Sequence, residues 1–350
     1  MLTPLCRMLG IEWPIVQAPM NWATDARLVA AVSSAGGLGV LGPNAGEEPA
    51  SADPRQMGER LRRQIQAIRA ASTMPFAVNV PIGRGGNRVF SDRSIEVLIE
   101  EGVRIAIIVT GSPEVYTARL KQAGVFVIHA VASVKHAQKA EGCGVDAVVA
   151  EGFDAGGHSG FDEIPAASLV PQVAQACAIP VIAAGGIVDG RGLVAHLGYG
   201  AQAVYMGTRF MATVECPIND RVKQAIVAAI DTGSTSWGRS TEIARTLKNR
   251  FTDEYRKREL SGATREELHK FIADYTKMPG GRRVAGLRGG DLDDGEVYLG
   301  TGVGLVRDVV TCAEVIQRTM KEAHATLDRV GAILRGGEGV RATAKERVPA

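Results

Sequence analysis

Two blocks decide the fold: VDAVVAEGFDAGGHSG at 145–160 and IPVIAAGGIVDGRGLVAHLGYGAQAVYMGTRFMAT at 179–213. They contain three apolar runs, 147–150, 180–184 and 203–206, rich in Val, Ile and Ala and almost free of charge. Runs of that length and composition are expected for strands buried on both faces, as in a parallel sheet. Each run ends in a polar or Gly-rich turn: EGFDAGGHSG after the first, GG after the second, GTR after the third. The stretches 166–178 and 190–200 between them are long enough to be helices. Strand, loop and helix in repetition form the βαβ signature. The glycines fall at the C-terminal ends of the predicted strands, where α/β barrels place their sites.

Outward from these blocks the alternation continues. Strands are predicted at 15–17, 38–41, 76–80, 105–109 and 125–129, with helices at 26–35, 53–71, 94–101, 113–123 and 134–141. Eight βα units over about 210 residues match a (β/α)8 TIM barrel, and the count of eight favours it over a doubly wound open sheet. The stretch AGGLGVLG at 35–42 superficially resembles a dinucleotide fingerprint, but its glycines follow a helix and precede a strand, the reverse of that turn. After Cys216 the pattern changes. Helix is predicted at 220–231, a polar break at 232–238, charged amphipathic helices at 241–260 and 264–277 with no strand between them, a Gly-rich loop at 279–304 and one long helix at 308–334. The expected organisation is therefore a barrel formed by 1–218 and closed by 308–335, an α-helical and Gly-rich insertion at 219–307 covering it, and a flexible tail at 336–350. The basic stretch 239–258 also carries acids and is read as a solvated helix surface.

Composition excludes some partners. The 350 residues include 40 basic and 38 acidic ones, a net charge of +2, which gives no electrostatic case for nucleic acid or an anionic membrane surface. Five widely separated cysteines form no CxxC pair, so neither a disulfide framework nor a zinc knuckle is indicated. No signal peptide and no run of about 20 apolar residues is visible, and the expected location is the cytoplasm.

The chemistry is concentrated at predicted strand ends. Gly185, Gly186, Gly207 and Thr208 lie in turns after the last two strands. Amide groups in such turns form a nest for a phosphate, and these loops are the usual barrel phosphate site. A flavin mononucleotide suits the rest: Ala18, Pro19 and Met20 allow a flat ring to approach, while Asn79 and His129 end strands three and five and can contact its polar parts. His158, flanked by glycines in DAGGHSG, is the acid/base candidate, because imidazole exchanges protons near neutral pH. His136, His196, His269 and His324 fall on helix patterns. No GxSxG elbow and no metal-spaced set occurs.

PIVQAPM, SSAGGLGVLG, PFAVNV, AEGFDAGGHSG, PVIAAGGIVDGRG and MGTRF, in that order, resemble the nitronate monooxygenase family, closely over residues 4–220 and loosely beyond. The resemblance implies a TIM barrel with non-covalent FMN, its phosphate on Gly185, Gly186, Gly207 and Thr208, its ring against Ala18, Pro19 and Met20, and Asn79 as a polar contact. His129, Glu151, Gly156, Gly157 and Met206 complete the expected cofactor shell. Met20, Trp22, His158 and Ser159 are the expected substrate contacts, with His158 implied to bind or deprotonate the nitro compound. The implied reaction takes alkyl nitronates, and nitroalkanes, with O2 to a carbonyl compound and nitrite. Flavin-dependent enoyl-acyl carrier protein reductases and NADH:quinone reductases share most of these motifs, and imply instead that NAD(P)H reduces the flavin. The QAPM loop favours the monooxygenase. The segments 244–260 and GDLDDGEVYLGTGVGLV resemble the enoyl reductases, and Ala130 stands where some relatives carry Lys. A flavin-binding protein without catalysis is the alternative from another class, and a homodimer is left open.

Overall fold

The computed structural model describes residues 2–46, 51–83, 85–277 and 280–335. Eight strands run parallel in one sheet: β1 (Ile15–Gln17), β2 (Gly39–Leu41), β3 (Phe76–Pro81), β4 (Ile105–Val109), β5 (Phe126–Val131), β6 (Ala147–Glu151), β8 (Val181–Ala184) and β9 (Ala203–Met206). β7 (Gly157–His158) lies outside the barrel. The order β1-β9-β8-β6-β5-β4-β3-β2 brings both edges together, and a Val16–Leu38 bridge closes the ring. There the Gln17 N–H donates to Leu38 O, and the Leu38 N–H to Ile15 O, each at 2.9 Å. The fold is thus a TIM barrel.

Strand periodicity sorts the side chains into two cores. Val16, Leu38, Val40, Ala77, Ile107, Ile128, Val149 and Ile182 fill the lumen. Their alternates, such as Val78, Val127, Val148 and Val204, pack outward against the helices. The helix Pro4–Leu9 brings Leu5, Cys6 and Leu9 into the lumen cluster. Thr3 Oγ1 donates to Gln202 O and the Leu5 N–H to Gln202 Oε1, just before β9, so this helix plugs the N-terminal end of the barrel. The opposite, C-terminal end is the mouth.

The region after Cys216 departs from expectation. A second sheet, β10 (Ser234–Trp237) paired antiparallel with β11 (Ala244–Leu247) and β11 with β7, occupies positions predicted as polar break and helix. The helix starts only at Arg250, where Asn249 caps it and Thr252 completes a capping box. Phe251 and Tyr255 repeat at helical spacing, but Ala244 and Thr246 are buried with period two while Arg245 and Leu247 are less so, which is strand behaviour. Trp237, Phe251, Tyr255, Leu268 and Phe271 form a separate small aromatic core. The basic stretch is accordingly no single helix face: Arg239 reaches Glu163, Arg245 donates to Phe153 O, and Arg256 donates to Thr235. Within 279–304 a helix, Gly281–Leu287, interrupts the expected loop, and a 3-10 turn follows at Thr301–Leu305. The final helix is Cys312–Leu334. The tail at 336–350 lies outside the described residues, as does Pro279. Among the described residues no helix is long and apolar enough to cross a membrane.

Candidate active site

The mouth is assembled from strand ends. Lumen-facing alternation carries Asn79 above Ala77, and Glu151 above Val149, and it presents Ala130, Ala184 and Tyr205 at the same end. Register places Glu151, Ala184 and Tyr205 side by side on β6, β8 and β9. The small Ala184 leaves the space between the two larger side chains. The Tyr205 hydroxyl is buried without a hydrogen-bond partner among the described residues. Loss of water raises the Glu151 carboxyl from its ordinary 4.5 to about 7, opposed by His158. Burial, reinforced by Glu151, holds Tyr205 well above the phenol range.

Around this floor stand the predicted loops. The Ala18 N–H donates to Met206 O at 2.9 Å, which ties the first loop to β9. A methyl group on Gly207 would lie 3.7 Å from the Ala18 Cβ and 3.8 Å from the Met20 sulfur, so Ala18, Met20, Met206 and Gly207 converge. Pro19 lies between the two loop residues. Asn79 Nδ2 donates to Ile107 O at 2.9 Å, which fixes the side chain at the end of β3. Trp22 is buried with φ 66°, an uncommon conformation for a bulky residue.

Gly185 (φ 120°) and Gly186 (φ 68°) turn the chain back after β8 in a conformation that L side chains rarely adopt. Among the described residues the amide groups of Gly185, Gly186, Gly207 and Thr208 donate to no other protein group. Four unspent donors in two neighbouring turns fit a phosphate, the cradle that FMN requires. Thr208 Oγ1 accepts from the Gly300 N–H at 3.0 Å and keeps its own proton to donate. Thr301 N–H donates to Asp154 O at 2.9 Å, so the Gly-rich segment near 300 binds both the 154–156 loop and the Thr208 turn. Of the nearby cations, Arg209 is spent on Asp308 and Ala212 O, and Arg191 on Asp189 and Glu322.

His158 stands on β7 opposite Ala244 of β11, and Gly157 opposite Arg245. Its Nε2 lies 3.0 Å from Glu242 Oε1, and its ring meets the Tyr298 ring edge-on at 5.6 Å. Gly156 fits only as glycine, since a Cβ there would come within 2.7 Å of the Leu299 backbone. The Ser159 hydroxyl is buried and unpartnered among the described residues. Periodicity takes His129 away from this assembly. Its neighbours Ile128 and Ala130 face the lumen while Val127 and Val131 face the helices, so the imidazole points outward, buried near His136. Burial first, and then His136, lowers it to about 4, which keeps it neutral. Glu242, Tyr298 and Tyr205 are additions that sequence reasoning missed. The first two sit in segments predicted as helix and loop; Tyr205 could have been found from the period of its own strand.

The model of the nitronate monooxygenase family matches residues 3–322. The chain belongs to that family. It is a flavin-dependent oxidoreductase. A relative from Mycobacterium tuberculosis named (3aS,4S,5R,7aS)-5-hydroxy-7a-methyl-1-oxo-octahydro-1H-indene-4-carboxyl-CoA dehydrogenase is 33% identical, the match covering 95% of this chain and 99% of that one. A probable nitronate monooxygenase from Staphylococcus aureus is 32% identical over 71% of this chain and 79% of the relative. Among solved structures, FabK from Thermotoga maritima superposes with a TM-score of 0.83 at 33% identity, over 95% of this chain and 99% of that one. Nitroalkane oxidase from Streptomyces ansochromogenes gives 0.75 at 27%, over 93% and 99%.

Proposed function

We propose that this family member is an FMN-dependent nitronate monooxygenase, converting alkyl nitronates and O2 to a carbonyl compound and nitrite. The observation that carries the proposal is the His158–Glu242 pair, held on β7 next to the mouth of a barrel whose late turns present four unspent amides. Gly185, Gly186, Gly207 and Thr208 would hold the phosphate; Ala18, Pro19, Met20 and Asn79 would border the ring. Bound FMN supplies the electron transfer between nitronate and oxygen. The chain's own part is binding and proton handling. With Nε2 held against Glu242, which orients the ring and offsets its charge, the other ring nitrogen of His158, Nδ1, would receive the α-proton of a neutral nitroalkane or hydrogen-bond the nitronate oxygens. Met20 and Trp22 border the substrate on the first-strand side, and Ser159 adds a hydroxyl beside His158.

A second reading has its own support. The chain matches the CoA dehydrogenase relative and FabK nearly end to end, but the nitronate monooxygenase relative over 71% of its length. Under this reading an NAD(P)H-dependent reductase uses the same mouth. Anaerobic bleaching of the flavin separates the two. Loss of the yellow band with propyl-2-nitronate, followed by nitrite when air is admitted, is the expected result. Rapid bleaching by NADH or NADPH with none by nitronate would replace the monooxygenase by the reductase.

A further inference from the structure

Beside the mouth lies a cavity of about 320 Å³ between the loops that follow β2 and β3. Asn79 and Pro81, on the lumen-facing side of β3, form its inner wall. The loop after β2 is pressed onto the first-strand loop: a Cβ on Gly42 would lie 2.6 Å from Thr24 Oγ1 and 3.1 Å from the Met20 backbone. The cavity therefore shares a border with the residues proposed to flank the flavin ring.

The chemistry of its walls is more apolar than its residue names suggest. Ser91 Oγ accepts from the Gly83 N–H and donates to Pro81 O. Ser94 Oγ donates to Phe90 O within its own helix. Asn44 donates to Asn21 Oδ1 and accepts from Arg60. Arg60 is buried, with its guanidinium 5.9 Å from the Trp22 ring centroid. These groups find their polar partners within the protein, and the same space is lined by the apolar side chains of Met57, Leu61 and Phe90. A lining of this kind rewards burial of carbon and asks for few polar partners.

We infer that this cavity receives an apolar carbon skeleton of the substrate, so that the natural substrate is a neutral-bodied molecule larger than a simple nitroalkane. The inference rests on the mouth being the reaction site, as proposed above. Cavities of 300 Å³ and upward hold drug-sized ligands, whereas a three-carbon nitronate would leave most of this one unfilled.

The test is calorimetric titration of the flavin-loaded protein with unreactive straight-chain carboxamides, from butanamide to octanamide. Dissociation constants are expected to fall about three- to fourfold per added methylene. In Ser94→Phe and in Met57→Trp, which fill the space from two different helices, butanamide should bind as in wild type and the gain with length should vanish. Retained melting temperature and propyl-2-nitronate turnover certify that each variant is folded. Constants independent of length in wild type, absence of binding at every length, or an unchanged slope in both variants would overturn the inference. Propyl-2-nitronate turnover by the wild type tests the reaction separately: no turnover with an intact length dependence removes the monooxygenase and leaves the cavity assignment standing.

Discussion

His158 differs from the other five histidines in where its ring is held. His129 is buried on the outer side of the barrel, and His196 binds Gly192 O with its Nδ1 at 2.8 Å. His136, His269 and His324 lie on helices. Among the described residues only His158 sits in a Gly-flanked strand with a carboxylate 3.0 Å from Nε2. If it removes the α-proton, His158→Ala should lower kcat/KM for a neutral nitroalkane by about 10²- to 10³-fold. A preformed nitronate needs no deprotonation, so its turnover should fall by no more than about tenfold, with flavin content unchanged. Steady-state assays on the two substrate forms read the difference, and equal losses on both would assign His158 to substrate binding rather than proton transfer. The DAGGHSG context made this residue legible in the chain. Its partner was not, because Glu242 reaches it through strand pairing between segments about 85 residues apart, and no local pattern reports such a distance.

At the scale of elements, the barrel and its closing helix depend on one close crossing. A Cβ on Gly190 would lie 2.3 Å from Thr319 O and from Ala323 N, in the helix Cys312–Leu334. The Gly190 N–H also donates to Glu322 Oε2 at 2.9 Å. Backbone cannot yield as a flexible side chain does, so Gly190→Val should cost about 1–3 kcal/mol or more as the two helices are forced apart. A denaturant midpoint equal to wild type would show that the crossing is not tight. Elements with long-range apolar periodicity were readable from the sequence: all eight barrel strands fall within two residues of prediction. β10 and β11 were not, because STSW and ARTL are short and polar. They become strands only by pairing with one another and with β7, and by burying Trp237 against Phe251 and Tyr255 at 5.1 Å.

For the molecule as a whole, the mouth carries a stability cost that depends on pH. The Glu151 carboxyl, raised from 4.5 to about 7, is protonated more readily in the folded than in the unfolded chain. Its favourable contribution is therefore fully present below about pH 4.5 and is lost as pH rises through 7. A shift of that size corresponds to about 3 kcal/mol. Glu151→Gln should flatten the pH dependence of the melting temperature between pH 4.5 and 7 relative to wild type; parallel curves for the two proteins would show that the carboxyl is better solvated than its position implies. The same group also faces Tyr205 and His158, which makes the lumen mouth an electrostatic unit rather than a set of separate loops.

The chain by itself determined the barrel, the glycine turns after its last two strands and the proposed acid/base candidate, because each is written in local chemistry: apolar runs of strand length, glycines at strand ends, one imidazole among glycines. Tertiary structure alone decided which way those residues point and what meets them. It turned His129 outward, since a strand's side chains alternate and a shift of one residue reverses the face. It also placed Tyr205 beside Glu151, brought Glu242 and Tyr298 to His158, and opened the cavity behind Asn79. Each of these depends on register, crossing or closure between segments far apart in the chain, and such quantities are fixed only when the whole barrel has packed.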